Sequence, residues 1–305
     1  MPPPEAFTPA ARRAVWLQYL LPRRTLTELA GLAARARLGA LTTGLIRAFV
    51  RRYGVDMAEA ADPDPAHYEN FNAFFTRALA PGTRPLDGAD WLCPVDGAIS
   101  EFGALEGQRL LQAKGHHYSA SALLGGDAEL AARFAGGHFA TLYLSPRDYH
   151  RIHMPAAGRL RRMIHVPGDL FSVNPTTARG LPGLFARNER VVCVFDALDD
   201  APGPFVMVLV GATIVGSMAT TWHGVVNPPR PGVVRHWSYD EAPLQLERGQ
   251  EMGRFLLGST VVLLLPPGPL AFDPAWAPGG AIRMGQAMAR RGRTTTAPAA
   301  PAATA

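Results

Sequence analysis

Cysteine, lysine and long apolar runs are all scarce in this chain of 305 residues. Its two cysteines, Cys93 and Cys193, are too few for a disulfide scaffold or a four-cysteine zinc module, so we expect free thiols in a reducing compartment. The single lysine, Lys114, precedes Gly115, which excludes a Walker A phosphate loop. An enzyme using pyridoxal phosphate would have only Lys114 for its Schiff base.

No stretch reaches the roughly 18–20 apolar residues that a membrane-spanning helix needs. The longest candidate, residues 205–215, is interrupted by Gly211 and Thr213 and is typical of a buried strand. The opening residues MPPPEAFTPAARR lack the apolar segment of a secretory signal, so we expect none.

The remaining composition is that of a globular protein, with 48% apolar and 18% charged residues. At about 150 residues per domain, the length predicts one large or two modest domains. The 31 glycines and 28 prolines indicate many turns and short elements.

Positive charge is concentrated at the N-terminus. Residues 1–55 contain nine arginines against Glu5 and Glu28. Apolar residues recur with helical spacing over residues 10–53, with a break at Pro22 and a helix start predicted at the capping-box pattern of Thr25 to Glu28. The pattern predicts amphipathic basic helices. They are either a helical cap on a soluble domain or an anchor lying on an anionic membrane surface.

Beyond residue 90 the sequence changes to short apolar and β-branched runs separated by glycine, proline and asparagine. The runs predicted as strands are Thr141–Leu144, Val191–Phe195, Phe205–Val210, Ile214–Val215 and Thr260–Leu265. We predict a helical region over residues 1–60, a β-rich catalytic domain over 61–290 and a disordered tail over 291–305.

Titratable and nucleophilic residues stand out at a few places in this body. Asp96 lies in a Pro-x-Asp-Gly turn, which is common structural chemistry. His150 and His153, three residues apart, suit acid–base catalysis, packing or, with a third ligand, a metal. Ser172 and Asn174 either line a pocket or form turns.

The Gly258–Ser259 step comes directly before a predicted buried strand. Gly258 carries no side chain to shield its carbonyl carbon, which Ser259 could attack through a five-membered ring. A neutral serine needs a base and an orienting carboxylate, and the sequence offers His153 and Asp96. A plain turn before a strand is the alternative. A serine hydrolase is another, although no Gly-x-Ser-x-Gly elbow surrounds Ser259.

Several motifs, in this order and spacing, resemble the pyruvoyl-dependent phosphatidylserine decarboxylase family of bacteria. They are YLLP at 19–22, FNAFFTRAL at 71–79, PVDG at 94–97, AKGHHYS at 113–119, YHRIHMP at 149–155, LFSVNP at 170–175, NERVV at 188–192, VGATIVGS at 210–217 and EMGRFLLGST at 251–260.

This resemblance implies an α+β fold whose β-rich body has a mixed β-barrel or sandwich-like core. It also implies a zymogen that cleaves itself between Gly258 and Ser259 into a β chain, 1–258, and an α chain, 259–305. It implies Asp96, His153 and Ser259 as the charge-relay set for cleavage, with the Gly258–Ser259 step beside His153. Ser259 would become a pyruvoyl group that forms a Schiff base with phosphatidylserine and releases CO2, without metal or pyridoxal phosphate. A related decarboxylase acting on a free amino acid is the alternative.

The remaining expectations concern the substrate and the membrane. His150 is our hypothesis for the proton donor in decarboxylation, and the candidate pocket residues are Arg151, Ser172, Asn174 and Lys114. A lipid substrate favours the membrane anchor over the plain helical cap and predicts peripheral binding at the cytoplasmic face of the cell membrane. No nucleic acid partner is expected, and the sequence leaves homo-oligomerisation open.

Overall fold

The computed structural model describes residues 8–113, 115–198, 203–214 and 217–292. Lys114, Val215 and most of the tail, 293–305, lie outside the described residues. The helices are α1 (Pro9–Leu20), α2 (Arg23–Arg35), α3 (Ala40–Tyr53), α4 (Phe71–Phe75), α5 (Ala120–Leu123), α6 (Ala128–Ala132), α7 (Pro175–Gly180) and α8 (Leu184–Arg187), with a 3₁₀ turn at Pro65–His67.

Strands dominate the chain after residue 90. They are β1 (Trp91–Leu92), β2 (Gly97–Ala104), β3 (Arg109–Ala113), β4 (His116–Ser119), β5 (His138–Tyr143), β6 (Arg151–His153), β7 (Gly158–Val166), β8 (Arg190–Ala197), β9 (Pro204–Val210), β10 (Met218–Thr220), β11 (Gly224–Asn227), β12 (Arg235–Ser238), β13 (Leu244–Leu246), β14 (Glu251–Phe255), β15 (Thr260–Leu265), β16 (Leu270–Phe272), β17 (Ala281–Ile282) and β18 (Ala287–Arg291).

The largest sheet has the order β12-β7-β8-β9-β15-β5-β2-β17, with β13 also paired to β7. Every residue of its central strands β9 and β15 is buried, because both faces of the sheet are covered. Along β15, Val261 and Leu263 enter the core on one face, and Val262 and Leu264 enter the core on the other. Because alternate residues of β15 enter cores on opposite faces, nearly every residue of this strand is apolar.

Different elements cover the two faces. The first core includes Ile152, Met218 and Phe255 from the smaller sheet β11-β10-β14-β6. The second includes Leu123, Leu130 and residues of α7 and α8. The α+β prediction is confirmed. Of the two core types expected, the described residues form the sandwich-like one. Their strands do not close into a barrel.

The predicted N-terminal helices are present as α1, α2 and α3, and the break falls at Pro22 as expected. The predicted capping box was wrong, because α2 begins at Arg23 and Thr27 donates its hydroxyl to the carbonyl of Arg23. Within the described residues, no helix has the length and apolar character to cross a membrane.

One end of the helical region is fixed to the body by an aromatic cluster. Ile46 of α3 packs with Val55 and with Phe74 and Phe75 of α4, all of them buried. Leu257, which precedes the Gly258–Ser259 step, packs against the same cluster. This contact places α3 next to the candidate site. The division at residue 60 stays a prediction.

Candidate active site

The Gly258–Ser259 step lies in the short connection between β14 and β15. Ser259 is 2% exposed, and its carbonyl accepts a 2.8 Å hydrogen bond from the amide of Leu144. Its hydroxyl oxygen is buried and has no hydrogen-bond partner among the described atoms. Buried hydroxyls in folded proteins usually have a hydrogen-bond partner, and a functional role is one explanation for an exception.

His150 is the histidine in contact with this step. A Cβ placed on Gly258 would lie 2.1 Å from His150 Nε2. His150 Nδ1 donates to the carbonyl of Asp148 at 2.7 Å, which leaves the Nε2 lone pair facing Gly258. The ring packs against Phe75 with centroids 4.1 Å apart and a tilt of 37° between the ring planes.

The pKa of His150 is lowered to about 3, chiefly by burial and to a smaller extent by the charge of Arg77, while the hydrogen bond to Asp148 opposes the shift. The imidazole is therefore neutral at physiological pH. It can accept a proton at Nε2, and a proton taken up there in this surrounding is readily given away.

His153 has a different position. Its Nδ1 lies 2.8 Å from the carbonyl of Gly249, which can only accept, so Nδ1 carries the proton. Its Nε2 then accepts from the hydroxyl of Tyr149 at 3.0 Å. Burial lowers the pKa of His153. The position expected for His153, beside Gly258, is thus the one that His150 has.

Asp96 is held by a guanidinium group. Arg84 Nε donates to Asp96 Oδ1 at 3.0 Å and Nη2 donates to Oδ2 at 2.6 Å. The amide of Met284 donates to Oδ1 at 2.8 Å. Asp96 interacts electrostatically with His153 and Tyr149 but makes no hydrogen bond to either among the described atoms. The three charge-relay residues are therefore not joined by hydrogen bonds in this arrangement.

A cavity of about 340 Å³ opens onto Ser259. Its walls are mostly apolar and come from α3, α4 and the loops after β5 and β9. The lining includes Phe49, Tyr53, Phe71, Phe75, Tyr143, Leu144, Ser172, Asn174, Thr213, Leu257, Gly258 and Ser259. A second cavity, of about 460 Å³, is polar and is lined by Asp96, Tyr149, Arg77, Arg84 and Arg147 among others.

Only some of the candidate pocket residues line the Ser259 cavity. Ser172 and Asn174 line the Ser259 cavity, and Asn174 also caps α7 by accepting from the amide of Thr177. Arg151 is absent from that lining, because its guanidinium binds the carbonyl of Thr76 and the carboxylate of Glu251, both at 2.9 Å. Lys114 lies outside the described residues.

Sequence reasoning missed three residues next to these groups. Phe75 packs against His150, Tyr149 binds His153 and Arg84 binds Asp96. Tyr149 and Phe75 lie inside quoted motifs, which was the available signal. Arg84 lies in none of them. Over the described ranges, no group of three or more His, Cys, Asp or Glu side chains is placed to hold a metal ion.

The buried neutral state of His150 predicts an acid-sensitive fold. In the unfolded chain this histidine is protonated below about pH 6.5, whereas in the folded chain it stays neutral down to about pH 3. Because the unfolded state binds the extra proton, the free energy of unfolding rises with pH between these two values. Between pH 6.5 and 5 wild-type protein should lose about 2 kcal/mol of unfolding free energy that His150→Gln does not lose. Urea titrations at the two pH values measure this, with both proteins made as Ser259→Ala so that each is one uncut chain, and parallel losses would contradict it.

Taken together, the fold and site define a β-rich protein with a buried glycine–serine step, a neutral histidine against it and an apolar cavity. A family model described as "Phosphatidylserine decarboxylase" matches residues 71–290, and a second, described as "PSD", matches residues 13–54. The chain belongs to the phosphatidylserine decarboxylase family.

Curated relatives agree with this assignment over most of the chain. The phosphatidylserine decarboxylase proenzyme of Albidiferax ferrireducens is 70% identical over 280 residues, covering 92% of this chain and 98% of the relative. Those of Methylibium petroleiphilum and Verminephrobacter eiseniae are 69% and 68% identical, with coverage of 91% and 92% of this chain and 97% and 98% of the relatives.

Proposed function

We propose that this chain is a proenzyme that cuts itself at Gly258–Ser259, generates a pyruvoyl group from Ser259 and decarboxylates phosphatidylserine to phosphatidylethanolamine and CO2. The observation that carries the proposal is the buried, unpartnered Ser259 hydroxyl beside a glycine that touches a neutral histidine. The names of the relatives, proenzymes of phosphatidylserine decarboxylase, support it.

Cleavage needs only groups of this chain. The Ser259 oxygen attacks the Gly258 carbonyl carbon, a base takes the hydroxyl proton and the peptide nitrogen becomes an amine, so the amide is exchanged for an ester. Loss of the Ser259 α-proton then expels the Gly258 carboxylate and leaves dehydroalanine. Its tautomer is hydrolysed by water, which releases ammonia and leaves a ketone. By motif match we assign the base to His153, with Asp96 as its electrostatic partner.

The residues around Ser259 fit a pyruvoyl group. Its atoms all derive from Ser259, whose side chain already occupies a buried position beside the cavity. When formed, the group supplies an electron sink for decarboxylation. His150, whose Nε2 faces Gly258, is our proton donor: its Nε2 would take up a proton and pass it to the substrate carbon. Phe49, Phe71 and Phe75 would keep water out of the cavity.

The test is an intact mass spectrum of denatured protein together with an assay on phosphatidylserine and on free L-serine. We expect two chains, with the α chain about 17 Da below the mass of one beginning with serine, and activity on the lipid. Ser259→Ala should remain one inactive chain, and Ser238→Ala, at an exposed serine, should behave as wild type. An uncut wild-type chain would refute the proposal. Activity on free serine alone would refute the lipid substrate.

We also propose that the N-terminal helices bind the cytoplasmic face of the cell membrane as a peripheral anchor. Large apolar side chains on α1, α2 and α3 are exposed, among them Trp16 at 74%, Leu20 at 81% and Leu41 at 75%. Arginines lie beside them on the same helices. Because α3 also lines the Ser259 cavity through Phe49 and Tyr53, binding by these helices would bring lipid to the site.

Polar substitution of these leucines should weaken vesicle binding. Each of Leu20→Ser and Leu41→Ser removes a side chain whose burial in lipid is worth about 1.5–3 kcal/mol, so binding should fall about 10-fold or more per leucine. Sedimentation with phosphatidylserine-containing vesicles measures this. Leu198→Ser, an exposed leucine after β8, is the matched control. Unchanged sedimentation of both helix variants would place the anchor elsewhere.

A further inference from the structure

Arg84 is a buried arginine that the cleavage chemistry above does not use. Its side chain is 4% exposed and contacts two carboxylates, those of Asp96 and Glu59, each at 2.6 Å from Nη2. Desolvation opposes the charge of Arg84, and these two carboxylates outweigh that effect and raise its pKa. Glu59 is in turn 3.0 Å from Arg283, and its pKa is lowered chiefly by Arg84.

The contact with Asp96 is a fork, in which two guanidinium nitrogens meet two carboxylate oxygens. Such paired bonds fix the plane of a carboxylate as well as its position. Oδ1 also accepts from the amide of Met284, so both of its lone-pair sites are filled. Oδ2 accepts one short bond, from Nη2, and a longer one of 3.2 Å from Nε.

Asp96 must keep this orientation in a polar cavity. Its electrostatic neighbours include Tyr149 and His153, and Tyr149 binds His153 at Nε2. A carboxylate free to rotate could turn instead toward other cations of the same cavity, such as Arg77 and Arg147. Arg84 is the group that holds it.

We infer that Arg84, itself held by Glu59, is a positioning residue for self-cleavage, which acts by fixing the Asp96 carboxylate toward the Tyr149–His153 side. This inference rests on the proposed role of Asp96. Glu59 completes the arrangement, because it accepts from the same Nη2 and leaves the guanidinium little freedom to turn. Since misplacement of a catalytic group by about 1 Å can cost about 100-fold in rate, the expected effect is large.

The experiment follows conversion of the newly translated full-length chain into its two fragments on a denaturing gel. Arg84→Met should cleave about 100-fold more slowly than wild type, because charge and fork are both lost. Arg84→Lys keeps the charge without the fork and should fall between them. Glu59→Gln should slow cleavage less than Arg84→Met. Arg161→Met, which removes a 2.6 Å pair with Asp196 elsewhere on the molecule, should cleave at the wild-type rate.

Melting temperatures separate positioning from general stability. Each variant is also made with Ser259→Ala, so that all melts are of uncut chains. If Arg84 positions Asp96, Arg84→Lys and Arg84→Met melt within a few degrees of each other but differ in cleavage rate. Cleavage that simply follows the melting temperature would overturn the inference, as would wild-type cleavage by Arg84→Met.

Asp96→Asn, run in parallel, distinguishes this inference from the proposed function. Slow cleavage by Asp96→Asn with normal cleavage by Arg84→Met overturns only the role of Arg84. Normal cleavage by Asp96→Asn removes the role of Asp96 and the inference with it. An uncut wild-type chain would refute the proposed function itself.

Discussion

Gly258→Ala should remain an uncut, inactive chain. The added methyl group would lie 2.1 Å from His150 Nε2 and 2.7 Å from its Cδ2, far inside contact distance. His150 cannot readily move away, because it is fully buried, hydrogen-bonded to the carbonyl of Asp148 and packed against Phe75. The clash therefore displaces the scissile carbonyl, and a displacement of about 1 Å is enough to slow attack about 100-fold or more. A denaturing gel of the purified variant shows the result.

Gly44→Ala is the matched control for this substitution. Gly44 lies within α3, and a Cβ there meets no atom within 4 Å. Alanine is also the better helix former by about 1 kcal/mol, so this variant should cleave normally and be no less stable than wild type. If Gly258→Ala cleaves at the wild-type rate, the contact with His150 does not constrain the scissile bond.

His150→Gln should separate the two reactions. The variant keeps a polar group at this position, so self-cleavage through His153 should proceed, while decarboxylation loses its proton donor. General acid catalysis typically contributes about 100- to 10,000-fold, and kcat on phosphatidylserine should fall by that amount per processed chain. The measurement combines the gel with a CO2-release assay on the processed protein.

His153→Gln provides the converse test. It should remain uncut, because the proposed base of cleavage is gone. Should His150→Gln stay uncut while His153→Gln is processed, the assignments are reversed and the histidine in contact with Gly258 is the base of cleavage. That outcome would also agree with the hydrogen bonds of His153 to Tyr149 and Gly249.

Amphipathic periodicity and uninterrupted apolar runs predicted much of the fold. The break at Pro22 and the strand Thr260–Leu265 were placed correctly, because a missing amide donor and a doubly buried strand leave local signatures. Ile214 was predicted in a strand but lies in a turn with φ of 71°, where its backbone follows tertiary contacts rather than β propensity. The predicted disordered tail began too early, since Arg291 belongs to β18.

The site was harder to predict than the fold. The motifs identified Asp96, His150 and Ser259 as candidate site residues. Which histidine contacts Gly258, however, depends on how β6 pairs with β14, and this pairing includes a register shift between Glu251 and Gly253. No local pattern encodes such a shift. Arg84 is twelve residues from Asp96 in sequence, and its role depends on a loop packing that only the folded chain shows.

The central position of β15 in the largest sheet has a consequence for refolding of the protein after cleavage. A cut between Gly258 and Ser259 would leave β15, the first strand of the α chain, paired to β5 on one side and to β9 on the other. The two products would stay together without a covalent link, yet reassembly after denaturation would become a bimolecular search for the middle of a sheet. The mature protein would thus hold a conformation that its uncut precursor reached by folding as one chain.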